Sequence, residues 1–446
     1  MTPPSEQSQQ LDIQQALTNA VEHFNADRLA EAEGIFRQVL RIQHDHPDAL
    51  HLLGLVTYKS GDFNAAVGLI YQALALKPDL AEAHNNLAQM FHEQGQFAEA
   101  ISSYKTVLAL KPDSVETHYC LGNAFKDFEQ LELAVESHMK AIALNPDFAW
   151  AHNNLGNLFQ ELGRLEESIA SHQQALILDP GLEGGWYNLH ISLFDTADLN
   201  PAADCLEKAL KIDPGFTRAR LDLGLIRDYQ GNAEAATGHF DRAVKEADWV
   251  SACIESWHYI TSIAGPRPNL FGNTSVGLCL GMDAATIDGL TLEFGVRFGT
   301  SIRQIASLTK DDVHGFDSFQ GLPESWDGQA EGLYTVHGQL PAVPENVHLH
   351  VGFFKDTLPL FVKEHSGPVR FANIDCDIYS STRTILESFA ERIVPGTVLV
   401  FDEFLGNPNW REDEFKAFQE AASEFGWQYE YLAFSLISYQ AVVLIR

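Results

Sequence analysis

The chain has 446 residues, too many for one ordinary domain and about right for two or three. An apolar fraction of 45% and a charged fraction of 20% exclude a collagen-like or mostly disordered chain. Charge is the outlier: 29 basic against 61 acidic residues leave a net of −32, with 17 against 36 up to residue 250 and 12 against 25 beyond it. A field of that sign repels phosphate backbones and anionic membrane surfaces, so neither nucleic acid nor a membrane is an expected partner.

Residues 1–10 (MTPPSEQSQQ) lack the basic end and apolar core of a secretory signal and read as a short disordered tail. No apolar run approaches the roughly 18–20 residues of a membrane span. Cys120, Cys205, Cys253, Cys279 and Cys376 form an odd set without a CxxC spacing. They read as scattered core thiols of a cytoplasmic protein rather than a disulfide framework or zinc site.

A period of 34 runs through residues 11–247. Prolines recur at Pro78, Pro112, Pro146, Pro180 and Pro214. Small residues keep the same step at Gly54, Ala88, Gly122, Gly156 and Gly224, with His190 substituting once. A second small position follows twelve residues after each, at Ala66, Ala100, Ala134, Ala202 and Ala236 with Ser168 as the exception, and one period earlier at Ala32 after Ala20. Small residues at two fixed places let paired helices approach closely, and each proline closes a second helix. These residues resemble tetratricopeptide repeats, about seven of them, which implies an α/α superhelix with a concave groove. In that family, helix positions just before the Leu-Gly pair face the groove. Asn86, Asn123, Asn154, Asn157 and Asn188 are therefore candidates for an amide ladder that pairs with the backbone of a protein or peptide partner.

Residues 248–288 bridge to a different pattern and read as a helical linker broken at 265–268 (GPRP). From 289 to 446, short apolar runs alternate with amphipathic stretches. The runs are 289–295, 313–318, 347–352, 369–375, 397–403, 429–434 and 440–446, and the stretches include 300–308 and 381–392. This predicts an α/β, Rossmann-like domain with a mostly parallel sheet. The last two runs are too close for a helical crossover, so they should form a C-terminal antiparallel hairpin.

Ligands of such sheets sit at the carboxyl ends of strands. The first run ends in Glu293, Gly295 and Gly299 and then opens a helix at Thr300 and Ser301. The spacing is not GxGxxG and no P-loop follows, which disfavours a nicotinamide dinucleotide. Asp317, about 20 residues on, is placed to accept hydrogen bonds from ribose hydroxyls. A glycine turn and a ribose acid without a phosphate cradle suit S-adenosylmethionine. Asp375 and Asp377 end the fourth run, and Asp402 and Glu403 end the fifth. Carboxylates on adjacent strand ends repel unless a cation lies between them, and oxygen-only donors suit magnesium or a similar hard ion.

Four motifs, VHGFDSFQGLP, VGFFKDTLP, IDCDIYSST and the acidic pair after GTVLV, resemble the macrocin O-methyltransferase family, whose members methylate sugar hydroxyls. The resemblance covers 289–446 and implies S-adenosylmethionine and a magnesium ion. It implies that the turn from Glu293 to Ser301 holds the methionine end, that Asp317 with Ser318 holds the ribose, and that Gly352, Phe353 and Asp356 pack near the adenine. It assigns Asp375, Asp402 and Glu403 to the metal; the family's last pair is usually Asp-Asp, where this chain has Asp-Glu. Either Asp375 or Asp377 is the general base, with Asp377 placed nearer the methyl acceptor, a small molecule or glycan. The alternative is an inactive tetratricopeptide scaffold. His314, His337, His348 and His350 read as surface or core residues rather than catalysts.

Overall fold

A computed structural model describes residues 6–265, 267–326, 331–336 and 338–446. The chain divides into two compact units, Met1–Ala151 and His152–Arg446. Fourteen helices, from α1 (Glu6–Asn25) to α14 (Ala233–Glu246), form seven consecutive pairs among the described residues, one pair for each 34-residue period. The expected tail is shorter than residues 1–10: 1–5 lie outside the described residues, and 6–10 already belong to α1.

The period has the packing meaning that small residues suggested. A Cβ on Gly122 would lie 2.8 Å from the His138 ring, and one on Gly156 would lie 2.6 Å from the His172 ring, so only glycine admits these partner rings. Both imidazoles are fully buried with no hydrogen-bond partner, and burial pulls each down to about 4. They pack as neutral aromatic plugs at neutral pH.

The asparagines behave differently from an open ladder. Asn86 Nδ2 lies 2.9 Å from His51 Nε2, and Asn188 Nδ2 donates to Asn153 Oδ1 at 3.3 Å, each pair being 35 residues apart. These two amides are spent on bonds between successive repeats. Asn123 and Asn154 also have partners, and Asn157 is half-buried.

In the second unit, seven strands build one sheet: β1 (Leu290–Phe294), β2 (Val313–Asp317), β3 (Val347–Val351), β4 (Val369–Ile374), β5 (Val398–Phe401), β6 (Tyr429–Phe434) and β7 (Ala441–Ile445). Their order is β3-β2-β1-β4-β5-β7-β6. The first five are parallel, and β7 runs antiparallel between β5 and β6. The predicted hairpin is therefore present, with β6 at the edge.

Alternate residues feed two cores, because successive side chains of a strand point to opposite faces. Leu292, Phe294, Phe316, Ile374 and Phe401 enter one cluster, and Val313, Phe371, Val398 and Val400 enter the other. Helices cover both faces, including α17 (Thr300–Ser307), α18 (Phe354–Glu364), α19 (Tyr379–Ser388) and α20 (Glu414–Phe425).

The stretch at 248–288 is more than a connection. It carries α15 (Val250–Ala264) and α16 (Thr274–Ala284), and α16 packs on β4, β5 and β7. Trp257 of α15 is fully buried in the same cluster as the sheet residues and as Leu221 and Leu225 of α13 (Thr217–Tyr229). Its Nε1 donates to Asp228 Oδ2 at 2.7 Å. The last repeat and the sheet thus share one hydrophobic core. Trp257→Ala should cost about 3–5 kcal/mol of stability by cavity formation, read from denaturant unfolding of the full chain. A cost below about 1 kcal/mol would contradict the shared core.

Candidate active site

The strand order reverses between β1 and β4, which is where an open parallel sheet leaves a crevice at its carboxyl edge. A cavity of about 490 Å³ lies there. Its wall includes Gly295, Arg297, Asp317, Tyr334, Gly352, Asp375, Asp377, Asp402 and Glu403.

The backbone ladder continues past the strands and sets these residues side by side. Gly295 N–H donates to Phe316 O at 3.0 Å, Asp375 N–H to Phe294 O at 2.9 Å, and Asp402 N–H to Ile374 O at 3.0 Å. Gly295 has φ +92°, and a Cβ there would lie 1.7 Å from the Asp375 carbonyl oxygen. No other residue fits that approach.

Asp317 ties down the turn that follows. Its Oδ2 accepts from the N–H groups of Val296 and Arg297 at 2.8 and 2.7 Å, and its Oδ1 accepts from Phe319 N–H at 2.6 Å. The expected ribose acid therefore lines the cavity while also fixing the shape of its wall. Ser318, Gly352 and Phe353 line the cavity as well. Glu293, Gly299, Thr300, Ser301 and Asp356 are not in its wall; Gly299 instead caps α17 with φ +83°.

Glu293 sits behind the wall, fully buried. Asn373, its register partner on β4, donates to Oε1 at 3.0 Å, while Oε2 has no hydrogen-bond partner. Burial pushes its carboxyl up to about 8, opposed by hydrogen bonds from Ser301 and Asn373. A buried acid without a cation holds its proton.

Burial raises the strand-end acids as well. Burial, then Asp402, Asp377, Glu414 and Glu293, raise Asp375 well above the carboxylate range. Burial and then Asp402 and Asp413 raise Asp377 to about 7, with Arg297 opposing. Burial raises Asp402 to about 6, countered by Gln440, whose Nε2 donates to Asp402 Oδ1. Burial, Asp402 and Asp377 raise Glu403 to about 7. Three wall residues, Arg297, Tyr334 and Asp377, have positive φ of 49°, 65° and 63°. Backbone strain of this kind costs on the order of 1–3 kcal/mol each and persists where the surroundings enforce it, as it does around binding sites.

Among the described residues no three His, Cys, Asp or Glu side chains converge so as to hold an ion as they stand. The ligand set expected of Asp375, Asp402 and Glu403 is thus not assembled in these side-chain orientations. The donor chemistry does fit a hard cation, since the acids repel one another and Glu414 Oε2 is buried without a partner.

Sequence reasoning missed several groups. Glu414 of α20 is fully buried and accepts from Cys376 N–H at 3.3 Å, but it carries no motif. Tyr334, over which the Arg297 guanidinium sits at 5.2 Å, also belongs to the wall, as do Glu324, Ser380 and Thr384. Gly321, Leu322 and Pro323 lay within a quoted motif without being assigned a role. Of the histidines, His314 Nδ1 lies 3.2 Å from His350 Nε2 and His348 pairs with Asp312. Those three are not in the cavity wall, and His337 lies outside the described residues.

Comparison with known proteins agrees with this division. Tetratricopeptide family profiles match residues 88–127, 127–163 and 149–182, and a profile described as anaphase-promoting complex, cyclosome, subunit 3 matches 25–107. A methyltransferase domain profile matches residues 292–404. The chain is a tetratricopeptide repeat array joined to a methyltransferase domain.

A curated relative, the 8-demethyl-8-(2,3-dimethoxy-alpha-L-rhamnosyl)-tetracenomycin-C 4'-O-methyltransferase of Streptomyces olivaceus, is 32% identical over 143 residues. The match covers 26% of this chain and spans about half, 54%, of that relative. Among solved structures, MamA 41-end from Desulfovibrio magneticus RS-1 is 21% identical with a TM-score of 0.36, over 38% of this chain and 97% of that one. YrrB, a TPR protein with an unusual peptide-binding site, is 20% identical with a TM-score of 0.36, over 41% and 95%. No helix among the described residues is long and apolar enough to cross a membrane.

The buried acid makes a pH prediction. Glu293 has a folded-state pKa above its unfolded value of 4.5, so its stabilising contribution is complete below pH 4.5 and is lost as pH rises towards 8. Relative to Glu293→Gln, the cofactor-free chain should lose on the order of 1.4 kcal/mol per pH unit across that window, read from unfolding at pH 5, 6.5 and 8. Parallel curves for the two proteins would contradict a protonated Glu293.

Proposed function

We propose that this chain is a cytoplasmic O-methyltransferase that uses S-adenosylmethionine to methylate a hydroxyl of a sugar or glycan-type acceptor, aided by a divalent cation such as Mg²⁺. The observation that carries the reading is the cavity at the β1–β4 reversal, whose wall gathers Asp317, Asp375, Asp377, Asp402 and Glu403. The O-methyltransferase character of the curated relative supports the acceptor class, since the rhamnosyl group in its name is a sugar. Five free cysteines, three of them buried, suit the cytoplasm.

When bound, S-adenosylmethionine supplies an electrophilic methyl group on a sulfonium cation. The chain's residues do the rest. The Gly295 turn, shaped by Asp317, brings backbone close to the cofactor, and Asp317 keeps one lone pair, on Oδ1, for a ribose hydroxyl. Asp377, raised to about 7, is poised to accept the acceptor hydroxyl's proton near neutral pH. Asp375, Asp402 and Glu403 would turn to hold the cation, which would acidify and orient that hydroxyl. Alignment of hydroxyl and methyl carbon by the wall supplies much of the rate.

The repeats are the recruiting part, binding a protein or peptide partner. Asn86 and Asn188 bond between repeats; of the remaining candidates, Asn123, Asn154 and Asn157, the last two lie three residues apart on one helix and are tested together. Asn154→Ala with Asn157→Ala should weaken partner capture and leave cofactor affinity within about twofold of the parent. Unchanged capture would remove these amides from the partner site.

Calorimetry with S-adenosylmethionine tests the enzyme reading. The full chain should bind it, and Asp317→Ala should weaken binding by about 1.5–3 kcal/mol through loss of charge-assisted hydrogen bonds. Absence of binding by the parent chain would overturn the reading and favour a scaffold. An Asp402→Ala, Glu403→Ala chain that still methylates and still binds Mn²⁺ would remove the cation assignment.

A further inference from the structure

The seventh repeat reaches the acid cluster through a loop. Arg218, in the first turn of α13, points its guanidinium at the segment between β6 and β7. Nη1 donates to Tyr439 Oη at 2.7 Å and Nη2 to the Leu436 carbonyl at 2.7 Å, while Nε faces Asp222 Oδ1 at 3.2 Å. Asp222 is buried and also accepts from Tyr187 Oη of the preceding repeat at 3.0 Å. A charged group with its hydrogen bonds met inside the protein is a strong clamp, and removing one partner leaves the other buried and unpaired.

The clamped loop in turn holds the end of β5. The Tyr439 carbonyl accepts from the N–H groups of Phe404 and Leu405 at 3.0 and 3.1 Å. Tyr439 does this at φ +58°, a strained conformation that relaxes unless something enforces it. The next residue, Gln440, is buried, accepts from Ser438 Oγ at 3.0 Å and donates to Asp402 Oδ1. One short loop therefore fixes both the backbone after Asp402 and the direction of its carboxylate.

We infer that Arg218 and Gln440 are positioning residues for Asp402, so that the seventh repeat is part of the methyl-transfer site's scaffold rather than a separate recruiting module. The inference builds on the cation role proposed above for Asp402. Its structural half, that α13 holds the loop that holds residues 402–405, stands independently of that role. A partner that shifts α13 would change the acid cluster through the same bonds.

The test uses the full chain with Arg218→Met, Tyr439→Phe, Gln440→Leu and the Arg218→Met, Gln440→Leu pair. Hydrogen exchange compares the peptides at 402–406 and 435–440 with β4 as internal control. Mn²⁺ binding is read by electron paramagnetic resonance, and S-adenosylmethionine affinity by calorimetry. Arg218→Met should speed exchange at 402–406 and 435–440 by about tenfold and leave β4 unchanged, with Tyr439→Phe giving a smaller effect in the same peptides. Arg218→Met and Gln440→Leu should each weaken Mn²⁺ binding by about tenfold, the pair no more than either alone, with cofactor affinity within about twofold.

Unchanged exchange at 402–406 in Arg218→Met would overturn the inference. Uniformly faster exchange, β4 included, would make Arg218 a general stability residue and overturn it too. Additive Mn²⁺ losses in the pair would break the shared path. A parent chain that binds no Mn²⁺ would sink the cation assignment, and the exchange result alone would then decide the inference.

Discussion

Carboxyl groups packed together without enough cations to balance them are the constraint on which this molecule turns. Asp317, Glu324, Asp375, Asp377, Asp402 and Glu403 face one cavity, whose wall offers Arg297 and Lys355 against them. Glu293 and Glu414 are buried close behind. Charges in a low-dielectric pocket repel far more strongly than in water, so burial and repulsion raise Asp375, Asp377 and Glu403 above the ordinary carboxylate range, and incoming cations relieve that repulsion. A sulfonium cofactor and a metal ion are such cations. The same repulsion explains why the site needs a stiff frame, which the ladder through Gly295, Asp375 and Asp402 provides.

That frame extends beyond the sheet. Trp257 joins α13 and the sheet in one core, and Arg218 ties α13 to the loop beside Asp402. Repeat arrays are stable through contacts between neighbours. Here the last neighbour of the array is the sheet of the methyltransferase domain, by way of α15. The last repeat and the sheet therefore share covalent continuity and also a common packing surface.

Much of the fold was legible because it rests on periodicity. The prolines from Pro78 to Pro214 and the small residues from Ala32 to Ala236 mark the helix pairs by a steric rule that acts within about 34 residues. Apolar runs marked all seven strands, since strands buried on both faces read as continuous apolar segments. Asp317 and the acids after β4 and β5 were legible as residues of one cavity wall because strand ends converge by topology. What escaped is long-range. Nothing local marks Glu414 or Tyr334, which enter the site from α20 and from the β2–β3 connection. Asn86 looked like a groove residue, but its partner His51 sits one repeat earlier and is visible only once repeats stack. The stretch at 248–288 looked like a linker because its helices bury their faces against distant strands.

Burial keeps Glu293 and Asp375 protonated in the free chain, and a cationic cofactor drives those protons off. Calorimetry of S-adenosylmethionine binding at pH 7, repeated in buffers of different ionisation enthalpy, counts the protons exchanged on binding. With Glu293 raised to about 8 in the free protein, binding should release protons to the buffer, and Glu293→Gln should release fewer. Binding without proton release, or with uptake, would contradict the account.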